Sequence, residues 1–239
     1  MKYRKGTFVK KIAILQSNYI PWKGYFDIIN MADEFVLYDE MQFTKRDWRN
    51  RNIIKTANGT QWLTIPVITK GKFEQRIMDT EVLSPAWTNE HWRALQCNYA
   101  KAEYFDRYAK EVQELYRKCS EEKYLSRINF IFLKGICDVL QIETKFSWST
   151  DYKLGKGKTE KLVNICMQAD ADEYISGPAA SDYIDNKKFE SKNIVLTYMD
   201  YSGYQEYPQL YGEFEHRVTM LDLLFHTGEN AKKYMKSFK

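Results

Sequence analysis

A chain of 239 residues with 44% hydrophobic and 28% charged side chains has the mix of an ordinary globular protein, which excludes a disordered or fibrous one and leaves room for one large or two small domains. Its net charge of +4, from 36 basic and 32 acidic residues, lacks the dense basic stripe of a nucleic-acid binder, so no nucleic-acid partner is expected and a small anionic substrate fits better. Aromatic residues reach 15%, with 18 Tyr and 6 Trp, a content suited to gripping sugars or bases, where an apolar ring and a hydroxyl are presented together.

The first element is the apolar run Ile-Ala-Ile-Leu at 12–15, which ends on Gln16, Ser17 and Asn18 in the manner of a strand buried on both faces of a parallel sheet. Pro21 suits a first helical turn, and Trp22, Tyr25, Phe26 and Ile29 recur at helical spacing, so a helix is predicted over 21–32. Residues 34–38 read as a second strand, completing a βαβ unit whose ligand crevice lies beyond the carboxyl ends of its strands. A strand at 61–68 follows the Asn58-Gly59 turn, with Pro66 demoting its far half. From Trp87 to about Leu140 apolar positions recur every three or four residues, predicting two or three helices broken near 120–122. A strand at 145–149, a Gly-rich loop, a helix at 159–168, strands at 173–176 and 194–199, and a helix at 217–227 closed by Gly228 complete the order. The expected fold is α/β, a mostly parallel sheet with flanking helices and a Rossmann-like core, interrupted by a helical insertion at about 87–140. The expected organisation is a single domain over 1–239, with a seam near residue 150 as the alternative.

No run of eighteen apolar residues occurs, so no transmembrane segment is expected. The basic start, MKYRKGTFVKK, leads into an apolar run too short for a signal peptide, which points to a cytoplasmic protein with an end able to touch a membrane surface. Cys97, Cys119, Cys137 and Cys166 form no C-x-x-C pair and read as free buried thiols of a reducing compartment. His91, His216 and His226 lack metal-pair spacing, so no metal is expected, and the phosphate-loop, dinucleotide and serine-hydrolase motifs are absent. Oligomeric state is not legible.

Four segments can carry chemistry. The loop from Gln16 to Tyr25 joins a buried strand to a helix start, where unpaired N–H groups favour an anion, and Gln16, Tyr19, Trp22 and Tyr25 are its candidate binding residues. The stretch from Asp39 to Asn52 opens onto the same crevice and carries Lys45, Arg46, Arg49 and Arg51 among Gln42, Trp48 and Asn50, a set that can clamp a diphosphate and stack on a base or sugar. A solvated charged turn is the plainer reading of that run. His91 can serve as a general base near neutral pH or as a structural helix-face histidine. Residues 174–185 run from a strand through Gly177 towards Tyr183, and Tyr204 and Tyr207 lie in a Tyr-rich stretch that reads as a binding loop.

The blocks QSNYIPWKGYFDII, DEMQFTKRDWRNRN, QWLTIPV, the W-x-x-x-H pair at Trp87 and His91, YISGPAASDY and LDLLFHTG, in this order, resemble the WbqC-like family across nearly the whole chain. Its motif positions fall on Gln16, Tyr19, Pro21, Trp22, Gly24 and Tyr25, on Asp39, Gln42, Trp48, Arg49, Asn50 and Arg51, and on Trp62, Pro66, Trp87, His91, Gly177, Tyr183, Tyr207 and Asp222. Ser17 stands where the family pattern has proline. The first block is also similar to the P-x-x-x-G-H loop of nucleotidyltransferases, with Gly24-Tyr25 in place of glycine and histidine, which implies a nucleotidyltransferase-like core.

The family resemblance implies an N-acyl or aminoacyl transferase, glycine among the groups moved, acting on a nucleotide-linked amino sugar in O-antigen lipopolysaccharide or other bacterial polysaccharide biosynthesis. On that reading Lys45, Arg49 and Arg51 hold the diphosphate, Trp22, Tyr25 or Trp48 stack on base or sugar, and His91 or Asp39 takes the amine proton. The second ligand is an acyl or aminoacyl donor and no resident cofactor is called for. A non-catalytic sugar-nucleotide-binding or scaffold protein of the same pathway is the alternative.

Overall fold

A computed structural model describes residues 9–238; the basic residues 1–8, read above as a membrane-facing end, lie outside the described residues. In chain order the elements are β1 (Lys11–Leu15), α1 (Lys23–Asn30), β2 (Glu34–Leu37), β3 (Arg51–Thr56), β4 (Gly59–Thr64), α2 (Ala86–Tyr99), α3 (Phe105–Ser120), α4 (Leu125–Leu140), β5 (Lys145–Trp148), α5 (Lys158–Gln168), β6 (Glu173–Ser176), α6 (Asn186–Glu190), β7 (Val195–Tyr198) and α7 (Met220–Thr227). They form two compact units. The first takes the chain up to Leu15, then Ile28–Tyr38 and Thr144–Tyr201; the second takes Gln16–Asp27, Asp39–Glu143 and the chain from Ser202.

The first unit is an α/β layer around a five-stranded sheet in the order β5-β2-β1-β6-β7. Each neighbouring pair is parallel, with Ile12 opposite Glu34 and Tyr174, and Glu173 opposite Val195. This is a Rossmann-like core, and the strand order reverses between β1 and β6, the switch point at which such sheets place ligands. β1 sits at the centre because Ile12, Ala13 and Ile14 can be buried on both sides, as they are. Apolar residues of α5 and α6, among them Leu162, Val163, Cys166 and Phe189, pack on this sheet with Tyr174 and Ile194. Glu34 opens β2 in full burial and is matched by Lys10 (2.8 Å), Ser147 (2.8 Å) and Tyr152 (2.6 Å). Burial alone would raise its pKa, but those partners prevail and hold it at about 2.

The second unit contains the three long helices α2, α3 and α4, α7, and the antiparallel β3–β4 hairpin, in which Arg51 faces Thr64 and Ile54 faces Gln61. The Asn58-Gly59 turn closes that hairpin, with Gly59 at a φ of 103° that favours glycine. Both strands of this hairpin differ from the sequence expectation. The strand predicted at 61–68 begins at Gly59 and stops at Thr64, ahead of Pro66, which has no N–H to donate to a ladder. Its partner β3 replaces what reads as the end of a charged turn. The helical core is aromatic: Tyr19 meets Trp87 and Phe132 edge-on at 5.9 and 5.5 Å, and Tyr116 meets Phe132 at 4.9 Å.

Candidate binding site

Apart from Gly177 and Tyr183, the candidate site residues belong to the second unit. Immediately after β1, the Ser17 N–H donates to Asp39 Oδ1 at 2.8 Å, and the Ser126 hydroxyl at the start of α4 donates to Asp39 Oδ2. Asn129, one turn further along α4, donates to the Ser17 hydroxyl and to the Arg49 carbonyl, both at 2.9 Å. Ser17 therefore supplies a backbone donor that a proline at this position would lack. Asp39 is fully buried; burial raises its pKa, and the Ser126 and Ser17 bonds and the Arg49 charge oppose that rise.

The loop then passes through Ile20, whose φ of 40° is an outlier for a β-branched residue. Asn52 on β3 holds it there, its amide donating to the carbonyls of Tyr19 (2.9 Å) and Ile20 (2.6 Å). The Tyr19 N–H adds a bond to the Trp48 carbonyl at 3.0 Å. Against this loop lies a cleft of about 170 Å³ lined by Asn18, Pro21, Trp22, Trp48, Asn52 and Arg217. At the side of Asn18, Arg49 donates from its two terminal nitrogens to Asn18 Oδ1 and Gln16 Oε1, and lies 3.9 Å from Asp47. Arg217 is ion-paired with Glu215 at 3.1 Å.

The four cations of the 45–51 stretch, expected to act together, do not all face one groove. Arg49 turns to Gln16 and Asn18, whereas Lys45, Arg46 and Arg51 line a different groove with Asn50. The Arg51 guanidinium lies over the Trp62 ring at 4.0 Å, and Trp62 meets Trp48 at 5.2 Å. Gln42 is exposed and donates to the Phe73 carbonyl at 2.9 Å.

Most of the other predicted side chains are turned inward. His91 is buried, donates to the Thr64 carbonyl and accepts the Tyr19 hydroxyl at Nδ1 (2.9 Å). Burial lowers its pKa to about 4 against the pull of the Thr64 carbonyl, so the ring is neutral with both nitrogens engaged. The Tyr25 hydroxyl donates to the Gln16 carbonyl (2.7 Å), that of Tyr204 to Asp27 (2.5 Å) and that of Tyr207 to Asp222 (2.7 Å). The tyrosines of the 201–208 stretch thus anchor it. Lys23 is caged beneath them, donating to the Gln205 carbonyl at 2.9 Å and facing the rings of Tyr204 and Tyr207 at 5.1 and 5.0 Å. In the first unit, Gly177 follows β6 and caps a short 3₁₀ turn, and Tyr183 closes that turn with its ring exposed.

Asn18, Asn52 and Arg217 line the cleft and Trp62 lies under Arg51 without having been singled out as binding residues, because their surroundings are set by partners far along the chain. Among the described residues no three of His, Cys, Asp and Glu converge on a metal-sized site. All four cysteines are free; Cys119, Cys137 and Cys166 are buried, while Cys97 on α2 is exposed, contrary to expectation, because its helix position faces away from the core.

The sequence profile of the WbqC-like protein family matches residues 16–234, which takes in every residue of the cleft. The chain belongs to the WbqC-like protein family. It is also 49% identical over 228 residues to the uncharacterized protein Rv1507c of Mycobacterium tuberculosis, covering 95% of this chain and 98% of that one. No solved structure matches the chain. No helix among the described residues of this WbqC-like protein is long and apolar enough to cross a membrane.

Proposed function

We propose that this WbqC-like protein is a transferase that moves an acyl or aminoacyl group onto the amine of a nucleotide-linked amino sugar during assembly of O-antigen or another cell-surface polysaccharide. The observation that carries the reading is the cleft beside the 16–22 loop, where the rings of Trp22 and Trp48 stand next to the amides of Asn18 and Asn52 and the Arg217 guanidinium. Aromatic rings cover the apolar faces of a sugar while amides and a guanidinium take its hydroxyls, and a small cleft with a few polar groups suits such a ligand. In the reaction the sugar amine attacks the carbonyl carbon of the donor. A C–N bond forms, the bond from that carbon to the leaving group breaks, and the displaced amine proton ends on the leaving group. Asp39 and His91 act on this reading as positioning residues, Asp39 through Ser17 and His91 through Tyr19. Free thiols support a reducing compartment, and the reading assigns the work to the cytoplasm.

Incubation with nucleotide-linked amino sugars and a panel of acyl and aminoacyl donors, followed by mass spectrometry, tests the proposal; a product heavier by the donor group is expected. The burial and full pairing of both Asp39 and His91 favour a second reading, a sugar-nucleotide-binding protein without chemistry of its own. Ligand retained on the protein and returned intact across all donors would establish that reading and sink the first.

A further inference from the structure

We infer that the groove beside the β3–β4 hairpin is a binding site for an organic phosphate, separate from the cleft. It encloses about 260 Å³ and is lined by Lys45, Arg46, Asn50 and Arg51, with Phe43, Pro66 and Val67 among its apolar residues; no carboxylate lines it and none of its residues lines the cleft. Among the described residues Lys45, Arg46 and Arg51 form no ion pair, whereas Arg49, Arg76, Arg117 and Arg217 each face a carboxylate. Three cations around one concavity, of which only Arg51 also feels the nearby Asp47 carboxylate, attract an anion.

The groove is also built to hold a particular kind of anion. Arg51 is fixed by Trp62 beneath its plane and by a bond from Nη2 to the Arg46 carbonyl, and its buried Nε has no partner. Arg46 itself holds a φ of 61°, a backbone conformation costly for a residue other than glycine and common where a loop is shaped for a ligand. A guanidinium held flat with donors free matches phosphate oxygens. Asn50 is more than nine-tenths buried; its amide donates to the Ile65 carbonyl at 2.8 Å, and its Oδ1 has no partner. A buried acceptor left open asks for a hydroxyl or N–H on the ligand. The ligand class is therefore a phosphoryl group on a body that carries a donor and an apolar portion. Neither the cleft nor group transfer enters this argument.

Titration of the full chain with uridine diphosphate, followed by calorimetry and by tryptophan fluorescence, tests the inference. Binding that weakens as salt is raised is expected. Arg51→Gln and Lys45→Gln should each weaken it about tenfold or more, the loss of one charge-assisted bond, with Arg117→Gln, an exposed cation on α3 outside both the groove and the cleft, unchanged. Lys45 is exposed, so its replacement leaves the fold intact and keeps the test decisive. Wild-type affinity in both groove variants, loss of binding in Arg117→Gln alone, or no binding in the millimolar range would each overturn the site. Inorganic pyrophosphate is the second probe: weaker binding than the nucleotide supports the organic body, and equal binding overturns that part of the assignment. No step of this assay requires transfer activity, so its failure and the failure of the transferase reading are distinguishable.

Discussion

Replacing Asn52 by alanine tests whether the loop after β1 is held in shape by β3. The substitution removes both donors from the Tyr19 and Ile20 carbonyls, which lie under side chains that are fully buried. A buried carbonyl left unpaired costs about 1–3 kcal/mol, so the two come to about 2–6 kcal/mol. Release of Ile20 from its positive φ offsets roughly 1–3 kcal/mol of this. The net loss expected is therefore about 1–3 kcal/mol, which for a chain of this size lowers the melting temperature by roughly 3–10 °C. Thermal unfolding followed by circular dichroism reads that shift, and hydrogen exchange of the amides of residues 17–22 should accelerate with it. A melting temperature within about 1 °C of wild type, with exchange in the loop unchanged, would refute the clamp.

The pKa of His91 falls from 6.5 to about 4 on folding. The unfolded state thus binds more protons within that window, and stability present above pH 6.5 is lost as the pH drops towards 4, by up to about 3 kcal/mol. Denaturant unfolding of His91→Gln should lack this component; an identical pH profile would remove the argument. Lys23 shifts from 10.5 to about 8, because burial outweighs the charges of Asp27 and Asp222. Its folded form gives up the proton first, so wild type should gain on Lys23→Met by about 3 kcal/mol between pH 8 and 10.5, and a flat difference across that range counts against the cage. Burial raises the thiol pKa of Cys137 and Cys166 to about 12 and that of Cys119 as well, while Cys97 is exposed. A disulfide reagent should therefore titrate one thiol in the native protein and four in denaturant; two or more fast native thiols would contradict the packing.

Local spacing carried much of the fold. The apolar runs that became β1 and β2, and the three- and four-residue periodicity that became α2, α3 and α4, are signals held within a few turns of chain. The break that follows Ser120 was legible for the same reason, as was the Asn58-Gly59 turn. β3 was not legible, because Arg51–Thr56 offers only Ile53 and Ile54 between polar residues and becomes a strand by pairing with β4.

The site divides in the same way. The aromatic and basic content of residues 16–25 and 39–52 marked both segments from sequence, since residue type is a local property. Which cation faces which partner was decided by the fold: Arg49 is turned to Gln16 and Asn18, and Arg51 lies on Trp62. Tertiary structure alone also made Asp39, His91 and Tyr207 interior anchors, each held by a residue at least fifteen positions away. Apart from β3, sequence determined where the strands and helices form, because hydrophobic periodicity acts between neighbours. The fold decided what each polar side chain does, because burial and hydrogen-bond partners are set by contacts that no local pattern encodes.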